Sequence, residues 1–222
     1  MRLRSLFLTA VVAGTAFAAA APAAIPEQVG EGLTRVSSRT LDELYVRPQA
    51  DLRAYRQVMI DSPRVELQTG WLKRMNETRD VTRWLVPADA QQIADDAALA
   101  MRSAVAAAFE ARGYKIATAP GSGVLRLSPT VTDLFVNAPD VPAPGIQVGV
   151  VYQEGGTATL RLDAHDAVTG ALIGQVVDRD TAREVRNFNR ATRVSNNFWF
   201  EAMFRQWAQN CAREFEAAGT AP

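Results

Sequence analysis

The clearest pattern in the chain lies within positions 157–180, where apolar and polar residues alternate before a short turn and apolar residues recur at the same parity after it. A period of two directs one set of side chains to a core and the other to solvent, which is typical of a β-strand. The turn, Asp-Ala-Val-Thr-Gly at 166–170, has the composition of a short hairpin loop with a left-handed glycine. We therefore predict a β-hairpin whose apolar face contains Leu160, Leu162, Ala164, Leu172 and Val176.

The turn also predicts how the two arms of the hairpin pair. If Asp166 stands opposite Gly170, then Leu160 faces Val176. This register makes one face of the hairpin wholly apolar and leaves the other face mixed. It further pairs Ala164 with Leu172, Leu162 with Gly174 and Arg161 with Gln175.

Other segments have the composition of strands. Residues 55–67 carry β-branched residues in one register and are interrupted at Asp-Ser-Pro, 61–63, which indicates an edge strand or a bulge. Residues 146–153 lead through a Glu-Gly-Gly connection into the hairpin, so we expect them to form a third strand of an antiparallel meander. Two more strands are predicted at 114–117 and 124–136, with Pro129 marking an edge or a bulge.

Two long helices are predicted by apolar residues at spacings of three and four. The first begins near Asp89, with Gln92 three residues on, and ends at Gly113. The second runs over 197–218, and Gly219 ends it. Its apolar stripe can belong to the core or face another subunit, and it contains Phe200, Met203, Phe204, Trp207, Cys211 and Phe215.

Two segments have no sustained period. Residues 22–50 are polar and broken by proline and glycine, so we expect an extended arm, with a short helical turn over Leu41 and Leu44. Residues 70–87 hold Trp71 and Trp84 around a charged middle and resist assignment. Their tryptophans are either a binding platform or anchors in the core and loops.

These elements predict the fold class and the domains. We expect an α/β two-layer sandwich, with a mixed or antiparallel sheet of five or six strands and two long helices on one face. A crossover through the first helix places the strand that begins near Tyr55 parallel to a later strand. Residues 51–218 form one domain, preceded by the arm at 22–50 and a signal peptide at 1–21.

The first 21 residues have the pattern of a cleavable secretory signal. Arg2 and Arg4 precede an apolar run that ends among small residues. No later segment is apolar enough to span a bilayer. We therefore expect a periplasmic protein without a transmembrane span. No cysteine lies near the cleavage site, so no lipid anchor is expected.

Composition excludes several classes of chemistry. Removing Arg2 and Arg4 leaves 22 basic against 24 acidic residues, which does not favour nucleic acid as a partner. A single cysteine and a single histidine exclude an internal disulfide and a conventional zinc site. No phosphate-binding glycine loop or nucleophile elbow is present, so neither a cofactor nor a catalytic residue is predicted.

Five arginines near the C-terminus are candidate ligand-binding residues. In a helix they form one basic stripe that can meet lipid phosphate, an acidic glycan or an acidic partner. Three acidic neighbours leave the segment only +2, which also suits a solvated connector. The five are Arg179, Arg183, Arg186, Arg190 and Arg193.

Four aspartates near the hairpin are candidate metal ligands or paired carboxylates. They are Asp163, Asp166, Asp178 and Asp180. Aspartate is also ordinary in turns and at strand ends. The proline-rich loop at 137–145 is a further candidate for an exposed recognition element.

The sequence resembles a bacterial envelope family, domain of unknown function 3313 (DUF3313). The resemblance rests on LDAHDAVTGALIGQVVDRDTA at 162–182, TDLFVNAPD at 132–140 and YVRPQADLRAYRQVMIDSPRVEL at 45–67. It spans about 33–215 and implies an exported α/β domain, often a lipoprotein, with no assigned activity. The missing lipid-anchor cysteine departs from that pattern, because Cys211 is the only cysteine.

Three functional hypotheses follow. The first is a non-enzymatic binding or assembly module that contacts another envelope protein or an anionic envelope component. The second is a metal-dependent or carboxylate-based hydrolase that uses the hairpin aspartates. The third is a homo-oligomeric structural component of the envelope, closed through the C-terminal aromatic stripe.

Overall fold

The computed structural model describes residues 32–77, 79–137, 154–183 and 193–220, and gives only the backbone of Glu154, Arg183, 193–199 and Thr220. The predicted signal peptide lies outside the described residues. The strands are β1 (Thr34–Val36), β2 (Glu43–Val46), β3 (Gln57–Ile60), β4 (Arg64–Leu67), β5 (Lys115–Ile116), β6 (Val124–Val136), β7 (Glu154–Asp166) and β8 (Leu172–Arg183). The helices are α1 (Trp71–Asn76), α2 (Pro87–Glu110) and α3 (Arg193–Thr220).

The strands form one mixed sheet of eight, in the order β1-β2-β8-β7-β6-β3-β5, with β4 also paired to β6. Strands β1, β2, β8, β7 and β6 are successively antiparallel. Strand β3 is parallel to β5 and β6, and β4 is parallel to β6. The mixed α/β class and the parallel placement of the first predicted strand are confirmed. The expected number of five or six strands is wrong. The structure also has a short helix, α1, in addition to the two long helices that were predicted.

The arm supplies two of the additional strands. Strands β1 and β2 lie within 22–50, and Leu44 of β2 pairs with Val176 of β8. The spacing of Leu41 and Leu44 suggested a helical turn, but both leucines are buried in the sheet's main core. The part of this segment that the structure describes is therefore the sheet edge beside β8.

The hairpin forms, and Leu160, Leu162 and Ala164 of β7 face the core as predicted. Their partners on β8 differ from the predicted ones. Leu162 pairs with Val176, and Leu160 pairs with Asp178. The shift is two residues and has two parts. The turn places His165 opposite Leu172 instead of Ala171, and a bulge between Ala164 and His165 adds one more residue on the β8 side. Beyond this bulge Leu172 changes face and packs with Leu33 and Tyr45, while Ile173 enters the main core.

Strand β7 starts earlier than the pattern indicated. The Glu-Gly-Gly segment at 154–156, expected as a connection, belongs to β7. The strand expected at 146–153 lies outside the described residues.

Pro129 is neither at an edge nor in a bulge, because β6 is an interior strand. Its ring nitrogen faces the gap between β3 and β4, where β6 has no paired neighbour, so the missing N–H leaves no ladder bond unmade.

Both long helices pack on one face of the sheet. Helix α2 begins two residues before the predicted start, and Asp89 accepts a 2.7 Å hydrogen bond from the Val86 amide instead of acting as the cap residue. Gly113 has the expected left-handed conformation, φ 84°. The core joins α2 and α3 to inward residues of β3, β6, β7 and β8. Among the described helices, none combines the length and the apolar run that a bilayer span requires.

Candidate functional site

The candidate site is the face of the sheet that the helices leave open. In β6, β7 and β8 the side chains that alternate with the core positions point to this outer face. Pairing brings Thr132 beside Thr159, and Thr157 beside Thr181. Thr130 lies next along β6 on the same face. We call these five residues the threonine patch: Thr130, Thr132, Thr157, Thr159 and Thr181.

Four of the five hydroxyl groups of the threonine patch have no hydrogen-bond partner among the residues that the structure describes. Thr157 is exposed and the other four are half-buried, as expected on an open sheet face. Within the described part of the chain, the hydroxyls of Thr130, Thr132, Thr157 and Thr159 make no hydrogen bond. Each hydroxyl is both a donor and an acceptor. Neighbouring strands are about 4.8 Å apart, so the patch presents hydrogen-bonding groups at regular intervals.

Next to the threonine patch, the outer face carries charges that neutralise one another. Arg126 donates to both carboxylate oxygens of Asp61 at 3.0 and 2.9 Å, and Ser128 donates to the same carboxylate at 2.6 Å. Arg161 donates to both oxygens of Asp163 at 3.0 Å. The threonine patch itself carries no charge, but it lies beside these ion pairs and beside Arg179, which pairs with Thr159 and lies 4.0 Å from Glu43.

The structure does not gather the four candidate aspartates into one site. Asp163 lies on the outer face, where it also accepts a 2.8 Å hydrogen bond from Gln175. Asp166 holds the hairpin turn, and the Thr169 amide, which donates to it at 2.7 Å, lowers its pKa. Asp178 and Asp180 alternate with the outer-face residues of β8 and lie on the helix side. Among the described residues, no group of three or more His, Cys, Asp and Glu side chains can hold a metal ion.

Asp178 is buried where the 37–42 loop meets β8 and α3. Its Oδ1 accepts a 3.2 Å hydrogen bond from the Asp42 amide, and the Asp42 carboxylate accepts one from the Arg179 amide at 3.0 Å. Burial, with the nearby Asp42 and Asp180 carboxylates, raises the pKa of Asp178 to about 6. The same loop is held by Glu214, which accepts from the Ser38 and Thr40 hydroxyls at 2.9 and 2.8 Å. This cluster is a structural joint that fastens the arm to the domain.

The arginine segment is not one helical stripe. Arg179 and Arg183 lie in β8, and Arg193 begins α3. Arg179 is exposed and lies 4.0 Å from Glu43. Arg186 and Arg190 lie outside the described residues, as does the 137–145 loop beyond Asn137. The helical spacing that suggested a stripe therefore does not hold at Arg179 and Arg183.

The aromatic stripe of α3 is buried in the core of its own chain. Phe204, Trp207 and Cys211 are at most 3% exposed. Oligomer closure through this stripe, which the pattern left open, is therefore wrong. Burial raises the pKa of the Cys211 thiol to about 12, so this cysteine is a small core residue and not a nucleophile. An apolar cavity beside it has a volume of about 30 Å³, roughly the space of one water molecule.

Comparison with known proteins places the chain in a family. The sequence model of a family described as protein of unknown function, DUF3313, matches residues 29–211. The chain belongs to this family. The resemblance seen in the sequence is thereby confirmed. The matched DUF3313 region includes the threonine patch, the hairpin and most of α3. Among curated proteins, none matches the chain.

Several solved structures are weakly similar to this DUF3313 protein. A PelC dodecamer from Paraburkholderia phytofirmans is 13% identical, with 80% of this chain and 96% of that chain covered and a TM-score of 0.37. Protein XCC0632 from Xanthomonas campestris, of family DUF330, is 13% identical, with 75% and 86% covered and a TM-score of 0.39. A DUF4136 family protein from Bacteroides thetaiotaomicron is 12% identical, with 82% and 97% covered and a TM-score of 0.35. Similarity at this level does not identify a function for the DUF3313 chain.

Sequence reasoning missed the threonine patch of this DUF3313 chain. The alternation on β7 already placed Thr157 and Thr159 on the polar side of the hairpin. The same alternation in β6 places Thr130 and Thr132 opposite its apolar positions, and this signal was available. What the sequence lacked was the register that brings Thr132 to Thr159.

Proposed function

We propose that this protein is an exported, non-enzymatic binding module of the bacterial cell envelope, and that the threonine patch binds an uncharged glycan polymer. Export rests on the signal pattern at 1–21. Binding rests on the array of free hydroxyls on an open sheet face. A periplasmic location is part of this proposal, and N-terminal sequencing of the chain recovered from the periplasm tests it.

The chemistry of the threonine patch favours a glycan over a charged ligand. Arg126 and Arg161 already bind carboxylates of the same chain, so they are poorly placed to neutralise an anion. Arg179, which pairs with Thr159, lies 4.0 Å from the Glu43 carboxylate and is neutralised in part by it. Threonine hydroxyls donate to and accept from the hydroxyl and amide groups of sugars. Binding at each sugar unit is weak, and a polymer compensates by engaging several sites at once.

The same chemistry disfavours a protein partner at the patch. The central part of a stable protein interface is enriched in aromatic residues, methionine and arginine. The threonine patch contains none of these. Of the two arginines beside it, Arg161 is paired with Asp163, and Arg179 lies 4.0 Å from Glu43.

Binding to insoluble chitin, an uncharged polymer of acetylated amino sugars, tests this proposal. We expect the wild-type protein to cosediment with chitin and Thr132→Val/Thr159→Val to bind about thirtyfold more weakly, because two hydrogen bonds of roughly 1 kcal/mol each are lost. Valine is β-branched like threonine and suits a strand, so the fold is retained. The matched control Thr132→Ser/Thr159→Ser keeps both hydroxyls and binds like the wild type. Wild-type protein that stays in the supernatant contradicts the proposal.

Asp163→Asn separates the binding module from the hydrolase alternative. In a binding module this change is nearly silent, because an amide oxygen still accepts from Arg161 and Gln175. In an enzyme that uses the hairpin aspartates it abolishes activity or ion binding. We expect native mass spectrometry to give the same bound ions, if any, for the variant and the wild type. We expect the midpoint of thermal unfolding to change only slightly. An ion present on the wild type and absent from the variant supports the alternative.

A further inference from the structure

The segment between α1 and α2 exposes apolar side chains that the proposed function does not use. Val81, Trp84 and Val86 are 71%, 52% and 51% exposed, whereas Trp71, at the start of α1, is buried at 1%. Pro87 and Ala88 continue the exposed apolar surface at the start of α2. We call Val81, Trp84, Val86, Pro87 and Ala88 the Trp84 patch.

The backbone under the Trp84 patch is held in place. Leu85 is buried at 3%, and its amide and carbonyl both bond the Asn76 side chain, at 2.8 and 2.9 Å. The Trp84 indole N–H donates to the Arg79 carbonyl at 3.2 Å. The Val86 amide donates to Asp89. Exposure of the apolar side chains is thus built into an anchored turn, and ordering the turn on binding costs little.

Basic residues are close to the patch in the sequence. Within positions 73–89, Lys73, Arg74, Arg79 and Arg83 outnumber Glu77, Asp80 and Asp89 by one, in a chain whose total formal charge is zero. Lys73 and Arg83 are exposed. An excess of cations beside exposed apolar residues complements an anionic surface.

The combination fits a lipid surface better than a protein. The exposed tryptophan has an apolar ring and a polar N–H, and such side chains favour the interface between headgroups and acyl chains. Long arginine and lysine side chains reach phosphates while their stems stay against apolar groups. One tryptophan and two valines expose roughly 200–300 Å² of apolar surface at most, well below the ~800 Å² per partner of a stable protein interface.

We infer that the Trp84 patch docks the protein on the surface of an anionic phospholipid bilayer. Trp84, Val81 and Val86 enter the headgroup region, and Lys73 and Arg83 contact lipid phosphates. The inference does not depend on glycan binding, since the Trp84 patch and the threonine patch share no residue.

Flotation with vesicles tests the inference. We expect the protein to float with phosphatidylglycerol/phosphatidylethanolamine vesicles and to remain behind with phosphatidylcholine vesicles or at high salt, because screening weakens the contact with phosphates. Trp84→Ser and Val81→Ser/Val86→Ser each reduce partitioning about tenfold. Val168→Ser is the matched control, because Val168 is 65% exposed on the hairpin turn, outside the patch. Its partitioning is expected to equal that of the wild type.

Two results overturn the inference. One is a wild-type protein that does not float with the anionic vesicles at low salt. The other is a folded Trp84→Ser variant, verified by circular dichroism, that floats as well as the wild type. Trp84-dependent self-association by analytical ultracentrifugation, without vesicle binding, assigns the patch to a protein interface and also rejects the lipid surface.

Discussion

Replacing Gly156 by alanine is expected to destabilise the protein by about 4 kcal/mol, a large part of the roughly 5–15 kcal/mol that holds a domain folded. Gly156 has φ +146°, a conformation that residues with a side chain rarely adopt. An added Cβ overlaps the Phe135 carbonyl oxygen and lies 2.9 Å from Cζ of Phe200. The overlap is with backbone, so it is relieved only by separating β7 from β6.

The comparison with Gly170→Ala separates the cost of steric overlap of the added Cβ from the cost of a positive φ. Gly170 also has a positive φ, +71°, but nothing lies within 4 Å of its added Cβ. We expect Gly170→Ala to cost about 1 kcal/mol. Guanidinium unfolding followed by intrinsic fluorescence measures both variants. A Gly156→Ala protein as stable as Gly170→Ala rejects the close approach of β7 to Phe135.

Gly156 also illustrates which features a local pattern misses. The alternation of Leu160, Leu162 and Ala164 predicted the core face of β7 correctly, because a period of two is a property of the strand itself. The Glu-Gly-Gly segment before it has turn composition, but the strand continues through it since Gly156 fits against β6. Whether glycine marks a turn or a close contact depends on a partner distant in the sequence.

The predicted register of the hairpin and the predicted extended arm at 22–50 were wrong for the same reason. Asp166 and Gly170 are close in sequence, and they predicted a hairpin correctly. The bulge near His165 then shifted the pairing, and a bulge is favoured by packing on both sides of the sheet. Leu44 belongs to a strand of only four residues, too short to show a period, and its strand conformation is stabilised by pairing with β8.

The candidate site was predictable in part. Alternation placed polar residues on the outer side of the hairpin, but it did not distinguish an ion pair such as Arg161 with Asp163 from a free hydroxyl such as Thr159. Likewise, composition showed two tryptophans between 70 and 87 without showing that Trp71 is buried and Trp84 exposed. Both distinctions depend on which neighbours the fold supplies.

Replacing Asp178 by asparagine is expected to stabilise the protein near neutral pH. The Asp178 side chain is 6% exposed on the helix side of β8, with the Asp42 and Asp180 carboxylates nearby. Burial and these charges disfavour its ionised form and raise its pKa from 3.8 to about 6. Asparagine is uncharged and nearly isosteric, and its amide oxygen still accepts the hydrogen bond from the Asp42 amide.

The sign of the pH dependence follows from linkage. The folded state binds the Asp178 proton more tightly than the unfolded state, so the stabilisation by this proton is complete below the unfolded pKa of 3.8 and is lost as the pH rises through about 6. Above that pH the ionised carboxylate costs on the order of 3 kcal/mol. Asp178→Asn is therefore more stable than the wild type by about this amount near pH 8, and the difference shrinks toward zero near pH 4.

Urea unfolding of both proteins across this pH range measures the difference. Asp95→Asn, on the exposed side of α2, is the matched control, and we expect its small effect to vary little with pH. An Asp178→Asn protein that is less stable than the wild type near neutral pH contradicts the prediction. It means that the charged carboxylate itself holds the 37–42 loop, and that its bond to the Asp42 amide outweighs the cost of burial.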